Sequence, residues 1–456
     1  MARSSNGSAS RHDHVGSWYA GKAAQRELRA SPSGERHVQC VIVGGGLAGV
    51  STAWQLAQSG HDVVLVEAHR IGWGASGRNG GFVSPGFAEG LFAVEKLLGL
   101  DDTRTLFQLS RRGVAFVEQR IGELGLGELV GGHGWLKVIR HRDGDVLRDR
   151  KARMARDYGA DYALWPQDVL RETLVSKRYF GALHDPEPFH IDPLAYVEAL
   201  AADAEKAGAT LYEKTHAEWL HRRGGSWQLD TLCLESGETA VITADHVVLA
   251  TSAYGSIHLA DLYPPLDQAV LPVATYVVTS EPLGTRLDEA IRFPGCIADT
   301  RRAGNYYRIV GAGEDRRLLW GGRITTRRSE PLRLAEMLKA DILDVYPQLG
   351  AFSVDYAWSG LMGYTRKKMP VIGELEPGLW AATAFGGHGL NTTAMAAELI
   401  TGAIAEGDDQ WRVFKPFHPR TIDRMAGGNS PFGRIATQAV YWSMQARDWW
   451  DERAAE

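Results

Sequence analysis

The chain is poor in cysteine, with Cys40, Cys233 and Cys296 standing far apart in 456 residues. That spacing offers no zinc or iron–sulfur ligand set and argues against a disulfide framework, so a cytoplasmic setting is expected. Long apolar runs are missing too: no stretch approaches the roughly 18 residues that a membrane-spanning helix needs. Residues 1–36 are polar and lack an apolar centre, so they do not read as a secretory signal. No strong charge of one sign is present. A net charge of −5 argues against general nucleic-acid binding. No serine nucleophile elbow, H-x-x-x-H pair or metal ligand set is found. What is present is an ordinary globular composition, 44% hydrophobic and 23% charged, in a chain long enough for two or more domains. The 14 tryptophans are spread from Trp18 to Trp450 and are expected mainly in core and docking positions.

The densest signal lies between Val41 and Glu67. An apolar strand, Val41-Ile42-Val43, runs into Gly44-Gly45-Gly46-Leu47-Ala48-Gly49, then a helical stretch to Gly60, then Val63-Val64-Leu65-Val66 and a terminal acid, Glu67. Gly44 permits a tight turn, Gly46 lets the backbone approach a pyrophosphate, and Gly49 lets the helix pack on the sheet. The start of that helix favours phosphate charge. Glu67 follows the glycines by about the 20 residues at which an acid meets a ribose diol. The pattern is that of a dinucleotide-binding unit.

Beyond it, Arg70 to Gly81 forms a glycine-dense loop too long for a simple turn. The periodicity predicts helices over 91–98, 103–121, 145–158, 193–207, 331–346 and 392–404. It predicts strands over 135–139 and 209–212, a hairpin-like pair over 226–234 and 239–242, and a separate strand from His246 to Thr251. That last strand would bring Thr251 beside the first glycine turn. Residues 271–278, 306–323 and 356–372 read as β-rich. A strand over 379–385 leads into Gly386-Gly387-His388-Gly389.

These residues resemble the FAD-dependent D-amino-acid oxidase superfamily, and within it γ-glutamylputrescine oxidase-like flavoproteins most closely. The likeness rests on Ser17-Trp18-Tyr19-Ala20, Gly72 to Gly81, Tyr306-Tyr307-Arg308, Leu318 to Gly322, Trp358-Ser359-Gly360, Lys368-Met369-Pro370, Gly387-His388-Gly389 and the tail from Pro431 to Arg447. It implies an α/β fold: a Rossmann-like FAD-binding domain with a discontinuous β-rich (α+β) substrate domain. The expected division is a polar tail at 1–36, FAD-binding pieces at 37–125, 190–256 and 355–415, substrate-domain pieces at 126–189 and 257–354, and a helical extension at 416–456. The resemblance also implies that Gly44, Gly46 and Gly49 hold the pyrophosphate and Glu67 the ribose. Ala75, Ser76, Arg78, Asn79, Gly80 and Gly81 would pass beside the flavin ring, and Gly386, Gly387, His388 and Gly389 would sit at its pyrimidine end. Sarcosine oxidases carry a flavin-linking cysteine two residues before a Tyr-Thr pair. Here Met362 stands two before Tyr364, so the FAD is expected to be non-covalent.

The implied chemistry is hydride transfer from the C–H beside an amine nitrogen, then imine hydrolysis, with O2 as the expected acceptor. His388, Tyr307 and Arg308 are the candidate catalytic residues. Trp73, Tyr306, Arg323 and Tyr364 are the candidate substrate contacts, with Arg308 or Arg323 able to grip a carboxylate. Each has a structural alternative: a histidine bonding backbone, strand arginines on the surface, a tryptophan filling core. A dehydrogenase passing electrons to a quinone or protein, and a non-catalytic flavin binder, stay open, as does the oligomeric state.

Overall fold

The computed structural model describes residues 14–142, 144–258, 262–301, 304–327, 330–420 and 430–453. Two sheets organise them. The first is built from apolar strands buried on both faces, as parallel strands between helices must be. Its order is Val371–Glu376, Leu379–Thr383, Thr239–Leu249, Gly34–Val43, Val63–Val66, Thr210–Tyr212. Gly34–Val43 pairs in parallel with both Thr239–Leu249 and Val63–Val66. The helices Leu47–Gln58 and Gly389–Glu406 pack on one face of this sheet.

The second sheet carries most of the inserted segments. Its order is Val354–Tyr364, Leu271–Ser280, Arg317–Thr325, Tyr306–Val310, Cys296–Asp299, Val130–Ile139, Gly181–Ile191, Phe82–Val83. One face is sealed by a core containing Tyr179, Tyr307, Trp320, Leu338 and Tyr346. Its other face turns toward the glycine loops of the first unit, and the cavity lies between them.

Three expectations change. The hairpin strand over 239–242 and the strand over 246–251 are one continuous element, Thr239–Leu249, which pairs antiparallel with Ser226–Cys233 at its start and parallel with Leu379–Thr383 at its end. No turn residue interrupts it, because Ala244-Asp245 lies extended. The strand Val354–Tyr364, grouped by sequence with the FAD-binding pieces, hydrogen-bonds instead to Leu271–Ser280 in the second sheet.

The stretch expected as a polar tail at 1–36 also packs on the body where it is described. Residues 1–13 lie outside the described residues, but from His14 onward the chain lies on the body. Ser17 caps a short helix, Trp18–Lys22, by accepting from the Ala20 N–H. Trp18 and Tyr19 are buried. Arg26 then bridges Glu198 and the fully buried Glu213, its Nη1 donating to Glu213 Oε2 at 2.7 Å. Arg29 donates to Glu205. Charge pairing explains why a polar stretch docks: its arginines meet carboxylates that the body cannot otherwise neutralise.

The last helix, Pro431–Arg453, rests on the second sheet through Gln438, which accepts from Thr325 and Thr326, and through Glu452, which pairs with Arg140 and Arg301. Ile435, Trp442, Trp449 and Trp450 stay exposed on it.

Candidate active site

The first glycine turn has the geometry its sequence predicts. Gly44 has φ +112°, a conformation L side chains rarely adopt, and a Cβ there would lie 2.6 Å from the Ala250 carbonyl oxygen. At Gly49 a Cβ would come within 1.9 Å of the Gly44 oxygen, so helix and turn can close only with glycine. Gly46 faces the loop across from it: a Cβ would stand 2.9 Å from Ser76 Oγ, which itself accepts from the Leu47 N–H at 2.8 Å. The first N–H groups of an α-helix have no acceptor within the helix. Here they open onto a cavity of about 380 Å³ lined by Gly44, Gly46, Leu47 and Ala48.

Glu67 lines the same end of that cavity. Its oxygens accept from the Gly45 N–H at 2.6 Å and the His69 N–H at 2.8 Å, each keeping further acceptor capacity for a diol. Burial pushes its carboxyl up to about 7, against the pull of those two N–H groups. Nearby, hydrogen bonds and charge from Arg26, with the Ile71 N–H, hold Glu213 down to about 2 despite burial. That second acid fixes the strand end from which Glu67 points.

The loop from Gly72 to Gly81 forms one long wall. Asn79 Nδ2 donates to the carbonyls of Ala75 and Ser76, and its Oδ1 accepts from the Gly81 N–H at 2.7 Å. Arg78 donates through Nε to the Trp73 carbonyl at 2.7 Å and lies 4.3 Å above the Trp73 ring. Trp73 stacks on His69 with centroids 3.7 Å apart. From behind, Tyr19 donates to the Asn79 carbonyl and Trp358 to the Arg78 carbonyl, both at 2.9 Å.

The far end holds the second glycine turn. The strand Leu379–Thr383 leads through Ala384 and Phe385 into Gly386–His388, and the helix starts at Gly389. His388 is partly exposed on the cavity wall, and burial together with Lys137 pushes its imidazole down to about 4, so it is neutral at pH 7. Its ring stands 6.4 Å from that of Trp135. Tyr306, Tyr364, Met362 and Ile324 complete this end.

Of the residues predicted from sequence, the structure brings Gly44, Gly46, Glu67, Trp73, Ala75, Ser76, Arg78, Asn79, Gly80, Thr251, Tyr306, Tyr364 and Gly386–Gly389 to one cavity. Gly49 and Gly81 lie just behind its wall and shape it. Three candidates do not reach it. Tyr307 alternates to the other face of its strand, where it stacks on Trp320 at 4.2 Å and shares its hydroxyl with Tyr179 and Tyr346 at 2.9 and 2.7 Å. Arg308 is buried behind the loop, donating to Tyr19 Oη, His190 Nδ1 and the Ile191 carbonyl at 2.7–2.9 Å. With His190 Nδ1 accepting, its Nε2 is left to donate to the Pro294 carbonyl. Arg308 therefore braces the loop and has no free fork for a carboxylate. Arg323 sits at φ +52° where the strand register slips, so Gly322 and Ile324 face the cavity and Arg323 turns away to pair with Asp341 at 2.7 and 2.8 Å.

Residues that sequence reasoning missed are His69, Trp135, Tyr254 and Met362 as cavity walls. His69, two residues past the ribose acid, was the one with a local signal. Met362 had been weighed only as the absent cysteine. It lines the cavity and none of the three cysteines does, so no cysteinyl bond to a flavin can form. The two glycine turns, the acid at one end and the braced loop between them fit an extended dinucleotide carrying a ring at the His388 end.

Comparison with known proteins agrees with this geometry. The FAD dependent oxidoreductase (DAO) family matches residues 39–403. The chain is similar to the γ-glutamylputrescine oxidoreductase of Escherichia coli, 28% identical over 442 residues, covering 95% of this chain and 99% of that one. It is also similar to the probable oxidoreductase OrdL of Haemophilus influenzae, at 27% identity over 406 residues, covering 88% and 91% of the two chains. Among solved structures, glycine oxidase from Geobacillus kaustophilus shares the fold with a TM-score of 0.69 at 21% identity, covering 85% of this chain and 99% of that one. The chain belongs to the FAD dependent oxidoreductase (DAO) family, and the residues lining the cavity between its two sheets fit that cofactor.

Proposed function

We propose that the protein is an amine oxidase that takes hydride from the C–H next to a primary or secondary amine, such as a γ-glutamylated one. The product would be an imine that hydrolyses, and O2 would be the final acceptor, giving H2O2. The observation carrying this reading is one cavity that places a neutral histidine and aromatic walls opposite the braced flavin loop. The similarity to the γ-glutamylputrescine oxidoreductase of Escherichia coli supports the same class. Bound FAD supplies the hydride acceptor.

The protein's own contribution begins with the proton on the amine. An ammonium has no lone pair to assist C–H cleavage, so the substrate must react as the free amine. Trp135, Tyr306, Tyr364 and Phe385 give this end of the cavity aromatic walls, and desolvation against them lowers the pKa of a bound amine. His388, neutral at pH 7, offers a ring nitrogen that can accept the departing proton or hold the amine N–H. The Gly389–Glu406 helix directs its first N–H groups toward the same end, where they favour negative charge. Buried free cysteines fit a cytoplasmic setting.

The test is turnover of γ-glutamylputrescine in an oxygen electrode with assays for aldehyde, ammonia and H2O2. His388→Ala should lower kcat by about 100-fold if the ring moves the proton. Oxygen uptake without substrate consumption, or a His388→Ala enzyme with unchanged kcat, would remove His388 from the reaction.

A further inference from the structure

The arginines expected to meet a substrate carboxylate are engaged elsewhere. Arg308 is committed to Tyr19, His190 and Ile191, Arg323 to Asp341, and Arg78 to the Trp73 carbonyl and ring. A different cation stands beside the cavity wall, behind the residues that line it. Lys137 pairs in register with Ala298, Ala298 with Tyr306, and Tyr306 with Gly321. Directly paired residues project from the same face of a sheet. Ala298 and Tyr306 line the cavity, so the Lys137 side chain leaves the sheet on the cavity side, at the edge of that row. Two residues back on the same face, Trp135 also lines the cavity, and the Lys137 ammonium lies 3.9 Å above its ring.

We propose that Lys137, seated on Trp135, is the residue that binds a substrate carboxylate, and that the substrate is an amine carrying a carboxylate at the end remote from the reacting nitrogen. This rests on the amine-oxidation reading and adds the substrate class to it. Among the described residues no acid is close enough to form an ion pair with Lys137. Asp185 on the adjacent strand attracts it, and Arg150 repels it from the helix Gly144–Tyr158. Desolvation and Arg150 bring the ammonium down to about 7, and no carboxylate at ion-pair distance offsets them among the described residues. A carboxylate delivered by the substrate supplies that partner. The Trp135 ring touches the ammonium at 3.9 Å and stands 6.4 Å from the His388 ring, so the anion and the amine would be held at different places along the wall.

The test has two arms on the FAD-loaded protein. In the first, glutarate, which has no amine to oxidise, is titrated while the flavin absorbance is followed. Lys137→Met should weaken glutarate binding by about tenfold or more, whereas Lys137→Arg should keep most of it. In the second arm, 1,4-diaminobutane acylated with succinate is compared with the same amine acylated with butyrate, which replaces the carboxylate by a methyl group. The wild-type protein should prefer the succinyl compound through KM with similar kcat, and Lys137→Met should erase the preference. Equal glutarate binding by wild type and Lys137→Met at full flavin occupancy overturns the assignment, as does an unchanged succinyl preference. If neither diamine reacts, the amine-oxidation reading fails while the glutarate arm still judges Lys137. If Lys137→Met loses its flavin, Lys137→Gln takes its place in both arms.

Discussion

The Tyr19 hydroxyl donates to the Asn79 carbonyl at 2.9 Å, joining the N-terminal segment to the 72–81 loop across 60 positions of sequence. The same hydroxyl accepts from Arg308 Nη2 at 2.9 Å, so a buried cation reaches the loop through a single tyrosine. Tyr19→Phe removes both contacts and leaves a buried carbonyl without its donor. We expect FAD to bind about tenfold more weakly, with the fold retained. Flavin fluorescence on dilution measures this. Unchanged affinity would mean that the loop holds its shape without the segment.

Arg26 and Glu213 define a second tie. Glu213 is fully buried, so removing Arg26 leaves it only the longer contact with Arg29 at 3.6 Å and backbone N–H groups. Arg26→Met should lower unfolding stability by about 3 kcal/mol. Because ion pairing depresses the Glu213 pKa, its stabilising effect is present above the ordinary carboxylate range and is lost as pH falls toward about 2. The difference between wild type and Arg26→Met in urea unfolding should therefore shrink below about pH 4. A constant difference across that range would contradict the pairing.

Tyr307 provides a negative control. Its hydroxyl joins those of Tyr179 and Tyr346 deep in the second core. Tyr307→Phe should cost about 1–2 kcal/mol of stability and leave kcat and KM unchanged. A large loss of kcat in a well-folded variant would return Tyr307 to the active site.

Carboxylate binding should also depend on pH. Lys137 is faced by Arg150, by Asp185 and by His388 beyond Trp135, with Tyr162 next to Asp185. Its folded pKa of about 7 means the ammonium is neutralised as pH rises through that value. His388 is neutral throughout that range. Glutarate affinity should fall as pH rises from 7 to 9 in the wild-type protein and stay flat in Lys137→Arg. Parallel profiles would assign the titration to another group.

How much was legible follows from how local each feature is. The unit from Val41 to Glu67 is contiguous, so strand, turn, helix and acid could be placed from spacing alone. The 72–81 loop and the 386–389 turn were legible for the same reason. Tyr307 and Arg323 failed because face and bulge decide where a strand residue points, and the register slip beside Arg323 has no local signature. Arg308, expected at the reaction or on a carboxylate, stays behind the cavity because its partners come from residues 19, 190 and 191. The docking of the polar N-terminal segment depends on Glu198, Glu205 and Glu213, which lie about 170–190 positions away. Lys137 stood inside a predicted strand, yet its meaning required knowing that Ala298 and Tyr306 are its neighbours.

The most direct measurement is anaerobic mixing of the yellow, FAD-loaded protein with γ-glutamylputrescine, sarcosine, glycine and simple alkylamines while the flavin absorbance is followed. The account predicts rapid bleaching by an amine bearing a remote carboxylate, slower bleaching by simple alkylamines, and return of the colour with H2O2 when air is admitted. Flavin that none of these amines bleaches would contradict the assignment of amine oxidation to this cavity.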